Sequence, residues 1–191
     1  PGAQKSPVMC RLCRGRDMRM SCYNSTMKRA LIVVDVQEGF LNEHNRWIVP
    51  NIQKVIQQGG YSLFIEAIFH AEPGSLWDRQ TNWTFPLSPT IPEVKKLLPE
   101  ASTILVAKTT KSVFWGDKDI PVLFKEEGVE EVHVVGLDTN DCVMATAFDS
   151  FDAGFLTYVL EECTESSDDG SLREAALQIL RNVDMIKSAF L

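Results

Sequence analysis

A short apolar run, Ala30–Val34, constrains the fold more than any other feature of this sequence. The run shows no alternation of polar and apolar positions, and such continuous runs mark strands that are buried on both faces, as in parallel sheets. Similar runs recur along the chain, and the last of them is the weakest. The predicted strands are Ala30–Val34, Tyr61–Phe69, Thr103–Ala107, Val132–Leu137, Phe155–Leu160 and Val183–Ile186.

Segments with helical spacing of apolar residues lie between these runs. A capping box, Ser171-Leu172-Arg173-Glu174, marks the start of the last predicted helix. The alternation of strands and helices predicts right-handed βαβ units and therefore a three-layer α/β/α sandwich around a mostly parallel six-stranded sheet. The predicted helical segments are 52–56, 91–98, 120–124, 143–151 and 171–180.

One segment, His70–Pro89, interrupts the alternation. It contains three prolines and two tryptophans, Trp77 and Trp83, with mixed charge. The composition predicts a long loop with about one helical turn. Loops of this length are usually functional or disordered, and the two aromatic side chains favour a functional role.

The charge of the chain is unevenly distributed. Residues 1–27 hold five basic side chains and one acidic one, which leaves −11 for residues 28–191 because the whole chain carries −7. We therefore expect a flexible basic N-terminal extension over 1–27 and one domain over 28–191. The acidic domain argues against nucleic acid as a partner. The longest apolar run is far too short to cross a membrane.

The cysteines indicate a reducing setting. The chain has five, and three of them (Cys10, Cys13 and Cys22) lie in the extension. An odd number in this arrangement does not fit a secreted disulfide framework, so a cytoplasmic location is expected. Zinc would need about four ligands, and the extension contains no histidine, so we expect no zinc site there.

Chemically distinctive residues follow the predicted strands at the point where each strand ends. Asp35 ends the first run, His70 the second and Lys108 the third, and Cys142 follows the fourth directly before a helix. Ligands of open α/β sheets bind at the carboxyl ends of the strands. Taken alone, Asp35 suits a helix N-cap, Lys108 a surface position and Cys142 an inert core position. Their convergence at one edge favours a site.

These residue types suit nucleophilic acyl transfer. A helix N-terminus and the ammonium of Lys108 would favour the thiolate of Cys142. Asp35 can accept the thiol proton and return it to a leaving amine. Backbone amides of the turn Asp138–Cys142 can stabilise an oxyanion. The sequence therefore predicts attack on an amide-like carbonyl through a thioester.

Three blocks of the sequence resemble the signature blocks of the isochorismatase-like cysteine hydrolases. They are Leu31–Gln37, Lys108 with the following Ser112–Phe114, and Gly136–Val143. The resemblance covers about residues 28–190. The family includes nicotinamidases, N-carbamoylsarcosine and ureidoacrylate amidohydrolases, and isochorismatase. Its members are commonly dimers or tetramers, so the resemblance implies a homo-oligomer.

The resemblance also implies roles for particular residues. Asp35, Lys108 and Cys142 match the catalytic triad of the family. A cis peptide is expected between Leu137 and Asp138, and the backbone amides of Asp138 and Cys142 match the oxyanion hole. Cys163 lies outside the blocks and is expected to be dispensable.

Two positions depart from the family pattern. Where this chain has Asp138, family members usually carry a small apolar residue, and a carboxylate facing the thiol would raise its pKa. Nicotinamidases bind a metal through an Asp-x-His-x5-His block, but the aligned residues here are Ile68, His70 and Leu76. One imidazole does not make a metal site, so we expect neither a metal nor a cofactor.

Aromatic residues near the blocks are candidates for the pocket walls. They would suit a small planar amide, although each alone is more often a core residue. The expected substrate-pocket residues are Phe40, His70, Trp77, Phe114 and Trp115.

The sequence thus predicts a metal-independent hydrolase that cleaves a small amide or ureide through a thioester on Cys142. Three alternatives remain open: an isochorismate vinyl-ether hydrolase, a nicotinamidase and a non-catalytic member of the family. Cys142 argues against the first, because some members of that group lack the cysteine. The missing metal block argues against the second, and Asp138 supports the third.

Overall fold

The computed structural model describes residues 27–168 and 170–190. The predicted extension, residues 1–27 with its three cysteines, lies outside these ranges apart from Met27. Six strands form one sheet in the order β3-β2-β1-β4-β5-β6, and every neighbouring pair is parallel. The strands are β1 Arg29–Val34, β2 Leu63–Phe69, β3 Thr103–Lys108, β4 Glu131–Gly136, β5 Leu156–Thr164 and β6 Ile186–Lys187.

Helices connect the strands as the sequence predicts. They are α1 Ile48–Gln58, α2 Leu76–Thr81, α3 Pro92–Lys95, α4 Ile120–Glu127, α5 Met144–Asp152 and α6 Ser171–Asn182. The predicted α/β fold with a parallel six-stranded sheet is confirmed. None of the helices in the described ranges combines the length and the apolar character that crossing a membrane requires.

The continuous apolar run of β1 is explained by a core on each side of the sheet. Ala30, Ile32 and Val34 pack on one face with α4 and α5. Leu31 and Val33 pack on the opposite face with α1 and α3. All five side chains are fully buried, so neither face of the strand has room for a polar residue.

Several element boundaries differ from the sequence prediction, most clearly in the last third of the chain. The last strand occupies Ile186–Lys187 rather than 183–186, because Val183 ends α6 and Asp184 adopts a left-handed conformation with φ 56°. β5 continues past Leu160 to Thr164. The N-cap of α6 is Gly170 at φ 85°, one residue before the serine of the predicted capping box.

A glycine at the end of β4 allows the next turn to form close to β1. Gly136 has φ 117°, and a Cβ at this position would lie 2.0 Å from the carbonyl oxygen of Val34. The amide of Leu137 donates to the same oxygen at 2.9 Å. Only glycine allows this approach, and it places the segment after β4 beside the segment after β1.

Candidate active site

The three residues that sequence reasoning selected come from the carboxyl edge of the sheet. Asp35 directly follows β1 and has φ 53°, while Lys108 is the last residue of β3. Cys142 lies in a π-helical turn, Thr139–Val143, between β4 and α5. Such π-helical segments often occur at functional sites. The structure brings the three side chains together at one end of a cavity.

The ammonium of Lys108 holds one side of the Asp35 carboxylate. Lys108 Nζ donates to Asp35 Oδ2 at 2.6 Å and to the carbonyl oxygen of Thr110 at 3.1 Å. Both charged residues are only 1% exposed. Asp35 Oδ1 is also buried and has no hydrogen-bond partner among the described residues. One carboxylate oxygen is therefore fixed, and the other is free to accept a proton.

Burial and the ion pair act on the two partners in opposite ways. Burial raises the pKa of Asp35, and the nearby Lys108 ammonium opposes that rise without cancelling it. Burial lowers the pKa of Lys108, but the charges of Asp35 and Cys142 raise it by more, so the pKa is above its ordinary value. Lys108 therefore stays protonated and supports an ionised Asp35.

The surroundings of Cys142 disfavour its thiolate form. The residue is 8% exposed, and burial followed by the Asp35 charge raises the pKa of its thiol well above the ordinary value. The Lys108 ammonium lowers this pKa, but by less. Lys108 therefore favours the thiolate as expected, but burial and the Asp35 charge outweigh its effect. The thiol is buried beside a carboxylate, so its proton has to leave during attack.

The turn that carries Cys142 is anchored to β5. The amide of Thr139 donates to the Glu165 carbonyl at 3.0 Å, and the hydroxyls of Thr139 and Thr164 lie 2.8 Å apart. The expected cis peptide between Leu137 and Asp138 is confirmed. Asp138 and Cys142 both line the cavity. The assignment of their backbone amides to the oxyanion hole remains a prediction.

A cavity of about 460 Å³ opens beside the Cys142 thiol, a size suited to a small ligand. Its lining combines acidic and polar side chains with aromatic rings. The lining residues are Asp35, Gly39, Phe40, Phe69, Trp77, Thr81, Trp83, Leu137, Asp138, Asp141, Cys142 and Ser167.

The aromatic wall is a packed cluster that joins the end of β2 to the long loop. The rings of Phe69 and Trp83 stack with centroids 5.8 Å apart, and Trp77 lies edge-on to Phe69 at 5.4 Å. Phe40 stacks on Phe85 at 4.2 Å. These contacts fix the orientation of each ring before a ligand binds.

Backbone and side-chain hydrogen bonds hold the aromatic wall in place. Ala71 and Phe85 form an antiparallel bridge with N–O distances of 2.8 and 2.9 Å. The buried Gln37 side chain accepts from the Phe69 amide at 2.8 Å and donates to the Phe69 carbonyl at 3.0 Å and to the Ser88 carbonyl at 2.8 Å. The loop is thereby tied to the strand that bears Phe69.

Two of the five expected pocket residues, Phe40 and Trp77, line the cavity, and three do not. His70 faces Glu72, with Nδ1 3.6 Å from Oε1. Phe114 packs edge-on against Phe124 in the core. Trp115 is 72% exposed and donates from Nε1 to Asp149 at 2.8 Å. The helical turn that bears Phe114 and Trp115 points them toward α4 and α5 instead.

Sequence reasoning missed several lining residues. Phe69 ends β2 and could have been found by the same strand-end argument that selected His70. Trp83 was visible as the second tryptophan of the long loop. Nothing in the sequence signals Ser167, which approaches through the segment after β5.

The residues around His70 do not fit a metal site. No group of three or more His, Cys, Asp or Glu side chains in the described ranges is arranged to hold a metal ion. His70 lies beside the Glu72 carboxylate, and the apolar Leu76 stands where the family pattern has its second histidine. No step of the reaction below is therefore routed through a metal.

The parallel sheet and the buried carboxylate, ammonium and thiol at its carboxyl edge define the chain as an α/β protein of the hydrolase type. The family model described as the isochorismatase domain matches residues 29–189. The chain therefore belongs to the isochorismatase family and is a hydrolase. This confirms the resemblance seen in the three sequence blocks.

Known proteins resemble the chain over most of its length. Maleamate amidohydrolase from Pseudomonas putida is 23% identical over 153 residues, which span 71% of each chain. An isochorismatase-like hydrolase from Alkaliphilus metalliredigens superposes with a TM-score of 0.71 at 24% identity, covering 85% of this chain and 95% of that one. A pyrazinamidase/nicotinamidase from Streptococcus mutans gives 0.70 at 22% identity, covering 84% and 100%. The two structures share the fold of this chain. The homo-oligomeric state expected from the sequence remains a prediction.

Proposed function

We propose that the protein is a metal-independent cysteine hydrolase that cleaves the C–N bond of a small amide or ureide. The observation that carries the proposal is the asymmetry of the Asp35 carboxylate, whose Oδ2 is held by Lys108 while the buried Oδ1 has no hydrogen-bond partner among the described residues. A base with one free oxygen beside a neutral thiol is the arrangement that nucleophilic catalysis by cysteine needs.

In the first half of the reaction, Cys142 Sγ attacks the substrate carbonyl while Asp35 Oδ1 takes the thiol proton. The carbonyl oxygen becomes an oxyanion, and the amides of Asp138 and Cys142 are the proposed donors to it. The C–N bond then breaks as Asp35 returns the proton to the leaving nitrogen. The products of this half are a free amine or ammonia and a thioester on Cys142.

In the second half, water attacks the thioester carbonyl and gives a proton to Asp35. The C–S bond breaks, the acid leaves, and Cys142 regains its proton from Asp35. Lys108 takes no proton in either half. Its role is to keep Asp35 ionised in a buried setting, which the 2.6 Å contact supports.

The relatives support an amide as the substrate. The names of the maleamate amidohydrolase and of the pyrazinamidase/nicotinamidase describe hydrolysis of small amides. The cavity volume of about 460 Å³ supports a small molecule rather than a polymer.

Chromatographic loss of each compound in a small panel, together with release of ammonia or amine, tests the proposal. The panel contains nicotinamide, carbamoyl amino acids, maleamate and isochorismate. We expect turnover of at least one amide or ureide by the wild type and none by Cys142→Ala, with the melting temperature nearly unchanged. The proposal fails if Cys142→Ala keeps most of the rate, or if isochorismate alone is consumed.

Cys163→Ala is the matched control. Cys163 is the other free cysteine in the described ranges, it is fully buried in β5, and it does not line the cavity. The control should keep the wild-type rate once its melting temperature shows that it is folded.

A further inference from the structure

The cavity carries one negative charge that no cation balances. Three carboxylates line it, and two of them are paired: Asp35 with the buried Lys108, and Asp141 with Lys111. The third, Asp138, accepts a hydrogen bond from the neutral Ser167 hydroxyl at 2.7 Å and forms no ion pair with a described residue. No Lys, Arg or His is among the described residues that line the cavity. An approaching ligand therefore meets a net negative wall.

Aromatic rings line the cavity together with these carboxylates. Phe40, Phe69, Trp77 and Trp83 all reach its surface. The face of an aromatic ring attracts a cation within about 6 Å of its centre. Two lysines already use this attraction: Lys108 Nζ lies 5.0 Å from the Phe69 ring centre, and Lys111 Nζ lies 4.8 Å from that of Trp77.

We propose that the cavity selects amide substrates that carry a positive charge, such as an ammonium or quaternary nitrogen, and that Asp138 is the residue that determines this specificity. The inference rests on the proposed amide hydrolysis and names its substrate class. The aromatic wall packs against the apolar part of the cation, and the Asp138 carboxylate balances its charge. A substrate with a carboxylate is repelled by the same group.

A cationic substrate would also ease the chemistry. Asp138 contributes the backbone amide proposed for the oxyanion, so its carboxylate lies close to where negative charge develops. An unbalanced carboxylate there opposes the oxyanion, and a bound cation removes that opposition. The positive charge is therefore expected to raise kcat as well as to lower KM.

Nicotinamide and 1-methylnicotinamide are a matched pair of probes, because they share the ring and the carboxamide and differ by one positive charge. For the wild type, we expect kcat/KM for the cation to exceed that for the neutral amide by about tenfold. In Asp138→Asn this ratio should fall about tenfold, because the amide keeps the shape but loses the charge. Asp152→Asn, which changes the net charge equally at the exposed far end of α5, should leave the ratio unchanged.

Calorimetric binding to the inactive Cys142→Ala protein separates this inference from the proposed function. If neither amide is hydrolysed, but the cation binds about tenfold more tightly and loses that preference in Cys142→Ala/Asp138→Asn, the specificity stands and the hydrolysis proposal is what failed. Equal binding of the two probes, tighter binding of the neutral one, or a preference that Asp138→Asn leaves intact overturns the inference.

Discussion

Lys108 Nζ lies 2.6 Å from Asp35 Oδ2, and this contact joins the last residue of β3 to the residue after β1 across the intervening β2. Both side chains are almost completely shielded from water. A buried ion pair contributes little net stability, but loss of one partner leaves a buried charge that is costly. We therefore assign the pair a role in setting the protonation of Asp35.

Replacement of Lys108 by Met should abolish most of the activity. Without the ammonium, the buried Asp35 carboxyl takes up a proton and is lost as a base, so kcat/KM should fall by at least about 100-fold. Because Asp35 is then neutral, the variant should lose less stability than the roughly 3–5 kcal/mol that an unpaired buried charge costs. Steady-state rates and urea unfolding measure the two effects.

Two further variants test whether the loss of activity is specific to the ammonium group at position 108. Lys108→Arg should also be poor, because the larger planar guanidinium does not fit a fully buried lysine site. Lys118→Met removes a half-exposed lysine whose one ion pair with a described residue is to its neighbour Asp117, and it should retain the wild-type rate. Near wild-type activity in Lys108→Met would contradict the role given to the pair.

The pH dependence of the rate should follow the ionisation of a carboxyl group rather than that of a thiol. Attack requires ionised Asp35, so kcat/KM should rise with pH through an apparent pKa above the ordinary aspartate value of 3.8, because burial raises the pKa of Asp35. It should not rise again near the ordinary thiol value of 9.0, since the pKa of Cys142 lies well above it. A single rise centred near pH 9 would instead indicate attack by a preformed thiolate.

The residues at the strand ends could be predicted from the sequence because a parallel sheet places the carboxyl ends of its strands at one edge. Continuous apolar runs fixed which residues are buried, and the residues that follow them had to meet at one edge. Asp35, Lys108 and Cys142 could therefore be selected together without a structure. The protonation state of Cys142 could not, because it depends on the depth of burial and on the distance to Asp35.

Replacement of Asp138 by Asn should stabilise the protein at neutral pH. Burial, first among the causes, raises the pKa of Asp138 to about 6 in the folded protein, against an ordinary value of 3.8. Between these values the folded state binds the extra proton, so the wild type loses stability as pH rises from about 4 to about 6. Because Asp138 is half-buried, we discount the effect to about 1 kcal/mol, or a few degrees in Tm.

The sign of this effect makes it testable by thermal unfolding at several pH values. The Tm of Asp138→Asn should exceed that of the wild type above pH 6, and the gap should close below about pH 4, where Asp138 is protonated in both states. Asp152→Asn should show no such pH-dependent gap. A gap that is unchanged at low pH would mean that the asparagine acts through packing.

Removal of metal should leave the activity unchanged. The chemistry proposed here uses only Asp35, Lys108 and Cys142, and the residues around His70 do not fit a metal. Dialysis against a chelator should preserve the rate, and elemental analysis should find less than about 0.2 zinc per chain. Loss of activity with the chelator and its return with zinc would contradict the metal-free proposal.

The composition of the aromatic wall could not be predicted from the sequence. Trp83 reaches the cavity because the Ala71–Phe85 bridge folds the long loop back onto β2, and no local pattern announces a bridge between residues so far apart. Trp115 looked equivalent beside the Lys108 block, yet it lies on the outside of the molecule. Which face of a loop points inward is decided by tertiary contacts rather than by spacing.

The thioester on Cys142 is the central claim, and trapping it by intact-protein mass spectrometry tests that claim most directly. Acid quench within milliseconds of mixing with a substrate identified in the amide panel should give an added mass equal to the acyl group less one hydrogen. Peptide mapping should place that mass on Cys142, and Cys163→Ala should give the same adduct. If a substrate is turned over by the wild type while no acyl mass accumulates on Cys142 under any quench time, and Cys142→Ala is still active, the account of this site is wrong.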